Sequence, residues 1–150
     1  MINQLIQQII TSVNSMKTQV EKEGISLPKQ YKLIAKQAGI TNIEKIKILY
    51  VDKIEFTDLK NISLLEEYAM NFENARGLTL GYCIILQKSA PTEVLLHELR
   101  HVAQSELFES LEQFVTVYIK EILKFGYGNG PLERMQLILR INGKNFINKM

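Results

Sequence analysis

The only two histidines of this chain, His97 and His101, stand four residues apart in Val94-Leu-Leu-His-Glu-Leu-Arg-His-Val-Ala103. That spacing and the residues between them admit one regular conformation. Leu95, Leu99, Val102 and Ala103 recur at helical intervals, so an α-helix gathers them on one apolar face. The same helix sets His97 and His101 one above the other on another face, with Glu98 beside His97. Ser89 and Pro91 stand where such a helix begins, Glu93 suits its first turn, and the periodicity runs to about Ser105.

The pattern H-E-x-x-H carries specific chemistry. Two imidazoles one turn apart can ligate one metal ion, and the intervening carboxylate can reach a water on that ion without ligating it. Zn²⁺ held by three protein ligands brings the pKa of a bound water to near 7. Glu98 is then the expected general base, taking the water's proton and passing it to the leaving amine.

Two histidines do not complete such a site, and no third exists, so the remaining ligand is expected to be a carboxylate. A metzincin extension would need Gly at 104 and His at 107, where the chain has Gln104 and Leu107. Glu106 points about 140° away from His101 on an ideal helix. Glu109 and Glu112 would need a sharp turn to come back, and Glu121 is possible on the following helix. Glu133, in the first turn of a helix opened by Pro131 after the reversal GYGNG, is the expected ligand, because it sits on a rigid element.

A strand, then HExxH on a helix, then a glutamate on a later helix resembles the plan of the gluzincin metallopeptidases. RGLTLGYCIIL, followed by HELRHVAQ and then GYGNGPLE, looks like the small bacterial gluzincin and minigluzincin-like domains. The resemblance covers about residues 76 to 140. It implies a small zincin-like α+β domain, with a short β-sheet packed on helices and an HExxH active-site helix. It implies His97, His101 and Glu133 as zinc ligands, Glu98 as general base/acid, and a peptide or protein substrate. It further implies that the strand before the motif helix borders the cleft and pairs with extended substrate. Other readings are a zinc-stabilised binding or regulatory module with little turnover, and a toxin or effector domain with the same chemistry.

Elsewhere the pattern reads as a single domain spanning 1–150, without repeats or linkers. Leu5, Ile6, Ile9, Ile10, Val13, Met16 and Val20 mark an N-terminal amphipathic helix over residues 3 to 23, stopped by Gly24. Lys29 to Gln37 reads as a short helix ending at Gly39. Lys45 to Phe56 alternates as a strand, with Ile46, Ile48, Tyr50 and Ile54 on one side. Asp58 to Phe72 returns to helical spacing, and Gly77 to Gln87 reads as one nearly continuous apolar strand. Leu107 to Phe125 and Pro131 to Arg140 complete the helices, and the tail NGKNFINKM is expected to be loose.

Composition limits the partners. With 46% hydrophobic residues in 150, one core is supported. A net charge of +2 is too small to favour a nucleic-acid groove. No stretch reaches the roughly 18 to 20 apolar residues of a membrane span, and no signal peptide is evident, so a cytoplasmic protein is expected. Cys83, the single cysteine, is expected as a small buried residue on the strand that edges the cleft, with zinc ligation the lesser reading. Arg100 is expected at the surface or behind a ligand, and Asn129 as a helix cap or as a residue that helps orient the site. Tyr118, Tyr127, Arg134 and Arg140 are candidates to stabilise an oxyanion, with Tyr127 foremost among them, although packing is its first expected role.

Overall fold

The structure, a computed structural model, describes residues 2–55 and 75–125. Among them it forms an α+β fold of four α-helices and one mixed four-stranded sheet. Helix α1 (Ile2–Glu23) leads into a short strand β1 (Ile25–Ser26), and a 3₁₀ turn (Lys29–Tyr31) runs into α2 (Lys32–Gln37). A second 3₁₀ turn (Ile43–Lys45) precedes β2 (Lys47–Val51). Then come β3 (Gly77–Leu80), β4 (Cys83–Gln87), α3 (Thr92–Ser105) and α4 (Leu111–Phe125).

The sheet order is β1-β2-β4-β3, with β2 and β4 parallel and both outer strands antiparallel to their neighbours. Because side chains alternate across a strand, β4 feeds both faces. Cys83 and Ile85 face a core layer made by Leu5, Ile9 and Val20 of α1 with Val115 and Ile119 of α4. Ile84 and Leu86 face the other layer, where Leu95, Leu99 and Val102 of α3 meet Ala35 of α2 and Ile48 of β2. A strand covered on both sides must be apolar at successive positions, as Cys83–Leu86 are.

Three expectations need correction. Gly77–Gln87 is a hairpin and not one strand: Gly81 takes a φ of +68°, and Leu80 pairs with Cys83 across it. A left-handed residue at the turn is cheap only for glycine. Residues 107–110 stand outside α4, because Ser110 caps that helix through its Oγ, 3.1 Å from the Gln113 amide. Gln113 Oε1 reciprocates on the Glu109 amide at 2.7 Å, a variant of the capping box. Finally, β2 ends at Val51, so Ile54 joins the α1 layer while Ile46 and Ile48 join the α3 layer.

The end of α2 follows the expected stop at Gly39. Its φ of +94° lets the Gly39 and Ile40 amides bond back to Lys36 and Ala35. The segments Asp58–Phe72 and Pro131–Arg140 and the terminal tail lie outside the described residues. No described helix is long and apolar enough to cross a membrane.

Candidate metal centre

Helix α3 is anchored by Leu95, Leu99 and Val102, each at most 2% exposed. Burial of such side chains is worth about 1.5–3 kcal/mol apiece. The opposite face therefore keeps a fixed position, and it carries the motif. His97 is half-buried, while Glu98, His101 and Gln104 are almost fully buried. His97, Glu98 and His101 each offer a donor atom, all within 4.8 Å of one another. The two imidazoles lie edge to face, ring centroids 5.0 Å apart.

Glu98 and His101 are each oriented by neighbours. His101 Nδ1 lies 2.9 Å from Gln104 Oε1, one helical turn on. Phe114 and Tyr118 of α4 wall the same ring, with centroids at 6.3 and 5.7 Å. Glu98 is met by the outer strand β3. Thr79 Oγ1 stands 3.1 Å from the Glu98 carbonyl oxygen and 3.3 Å from its carboxylate, donating its single proton to one or the other. At Gly77 the strand passes so close that a Cβ would lie 2.9 Å from both Glu98 Cγ and Val94 Cγ1.

The end of α3 is tied down separately. The Glu106 carboxylate accepts the Thr41 and Asn42 amides at 2.8 and 3.1 Å and the Tyr82 hydroxyl at 2.6 Å. Partial burial works to raise its pKa, but these donors outweigh it and hold the carboxyl below its ordinary range. Glu106 thus joins α3 to the hairpin and to the loop after α2, away from the histidine pair. Glu109 and Glu112 are exposed, and Glu112 accepts from Asn14 Nδ2 at 3.4 Å. Glu121 is half-buried on α4. No further His, Cys, Asp or Glu among the described residues joins the cluster of three. Glu133, Tyr127, Asn129, Arg134 and Arg140 lie outside the described residues.

Two more expectations are corrected. Of the two readings of Arg100 only the surface one is excluded: it is 5% exposed, one helical turn from Leu96. Cys83 does not edge a cleft, since the hairpin makes β3 the outer strand and puts β4 inside. Its thiol points toward α1, 3.8 Å from the Lys17 carbonyl. Burial, with Glu21 adding to it, pushes the thiol up to about 11, so it stays protonated at neutral pH.

Sequence reasoning passed over Thr79, Gly77, Gln104 and Phe114. Gln104 had a local signal, since i+3 from His101 is the same helix face. The other three depend on how separate elements pack. Compared with protein-family models, curated proteins and solved structures, the chain matches none of them.

Proposed function

We propose that this protein is a zinc-dependent metallopeptidase of the gluzincin type, in a zincin-like domain, with His97 and His101 holding the metal and Glu98 as general base/acid. The observation that carries the reading is the convergence of three donor atoms within 4.8 Å on one core-anchored helix. The donor set fits Zn²⁺, which takes imidazole and carboxylate ligands and leaves a position open in catalytic sites. Bound there, zinc supplies Lewis acidity, polarising a substrate carbonyl and acidifying water.

The chain's own residues supply the rest. Glu98 removes the proton of the attacking water and returns it to the leaving amine. Thr79 and the close pass at Gly77 restrict where its carboxylate lies. The edge of β3 that no other described strand pairs with runs alongside, and an extended peptide adding to it as a further strand would bring its scissile bond past Glu98. Tyr118, ring to ring with His101, is the described candidate for the developing oxyanion.

For the third ligand, the packing of α4 brings forward Glu121 beside Glu133. Contacts of His101 with Phe114 and Tyr118 bring α4 against the motif helix. Glu121, three residues past Tyr118, shares that face of α4. Its carboxylate stands outside the cluster of three in this structure.

Metal analysis and a peptide-cleavage assay test the reading together. Wild type should carry one zinc per chain. Glu98→Gln should keep the zinc and lose about 10²- to 10⁴-fold in cleavage rate. His97→Ala and His101→Ala should lose both. Wild-type cleavage by Glu98→Gln would reduce the protein to a zinc-stabilised binding module, and tight zinc in the histidine variants would remove the site altogether. Of Glu121→Ala and Glu133→Ala, the variant that loses tight zinc names the third ligand.

A further inference from the structure

A histidine can ligate through either ring nitrogen, and the nitrogen that stays protonated decides which. At His101 that choice is made by a side chain with no place in the HExxH pattern. Gln104 Oε1 lies 2.9 Å from Nδ1. An amide oxygen can only accept, so Nδ1 must carry the proton and the lone pair of the neutral ring falls on Nε2. Gln104 is 2% exposed and His101 is 7% exposed, so water does not compete for this contact. Phe114 and Tyr118 close against the same imidazole and limit its rotation.

We propose that Gln104 is a positioning residue that locks His101 in the Nδ1–H tautomer and so presents Nε2 to a divalent metal ion. The consequence for metal binding rests on the zinc reading above; the tautomer itself does not. Loss of a partner of this kind behind a ligating histidine weakens metal binding by about 10- to 100-fold.

The test uses the full chain, first metal-free, with long-range ¹H–¹⁵N correlation of the imidazole rings at a pH where both are neutral. Wild-type His101 should show the Nδ1–H pattern. Gln104→Met, which keeps the bulk but removes the acceptor, should shift it toward Nε2–H. Gln104→Glu, which keeps an oxygen acceptor, should restore the wild-type pattern. Zinc affinity, measured by competition with a chromophoric chelator, should fall about 10- to 100-fold in the Met variant and recover in the Glu variant. An Nε2–H pattern in wild type overturns the proposal, as does a Met variant that keeps both the tautomer and the affinity. If wild type takes no zinc yet shows the Gln104-dependent tautomer, the positioning role stands and the metallopeptidase reading fails.

Discussion

Glu98 is fixed from outside its own helix. Thr79 reaches both its carbonyl and its carboxylate, and the missing side chain at Gly77 lets β3 lie directly against its methylenes. A net hydrogen bond of this kind is worth about 1 kcal/mol. Thr79→Val should therefore lower kcat by about fivefold while zinc content stays unchanged, and Thr79→Ser should restore the rate. A Val variant with wild-type kcat would show that Thr79 serves only the backbone carbonyl. His97, Glu98 and His101 were legible in the sequence because helical spacing alone brings them together. Thr79 and Gly77 were not. Their nearness to Glu98 depends on the register of β3 against β4 and on how that hairpin lies over α3, and neither leaves a local trace.

At the level of elements, the turn at Gly81 decides where the site can be approached. Read as one strand, Gly77–Gln87 put Cys83 at the edge; folded back, it puts Thr79 there and Cys83 in the core. The apolar pattern hid the turn because Tyr82 is itself a good strand former. This hairpin is joined to the end of α3 by Glu106, through Tyr82, and to the loop after α2 through two backbone amides. Glu106→Gln should cost about 1–2 kcal/mol at pH 7, since charge-assisted bonds exceed neutral ones and this carboxylate is only partly shielded from water. The folded-state pKa is depressed, so that stabilisation is present above the ordinary carboxyl value of 4.5 and is lost as pH falls through the lower folded value. Denaturant midpoints of the two proteins should differ at pH 7 and converge as pH falls through the lowered folded value. A difference independent of pH would mean that shape, and not charge, makes the joint.

Across the whole molecule, the helices cover both faces of the sheet and the candidate site lies beside its β3 border, where α3 and α4 meet through His101, Phe114 and Tyr118. The α+β class and most helices could be read from periodicity, since 3.6-residue and two-residue repeats differ plainly. The sheet order could not, because it depends on pairing between distant segments. A ligand supplied by α4 or by residues after it would cross-link the motif helix to another part of the chain. Zinc should then bind the native state far better than the unfolded one and raise its stability by mass action. At free zinc 100-fold above Kd the gain is about 2.7 kcal/mol. For a chain of this size that is a rise in Tm of about 5–10 °C over the chelator-treated protein. His97→Ala and His101→Ala should lose the increment, each keeping its own metal-free Tm when zinc is added. Glu98→Gln should keep it, since Glu98 moves the attacking water's proton and does not hold the metal. Equal zinc-induced shifts in wild type and both histidine variants would place the binding elsewhere on the chain, and the HELRH helix would then be a packed helix without a metal.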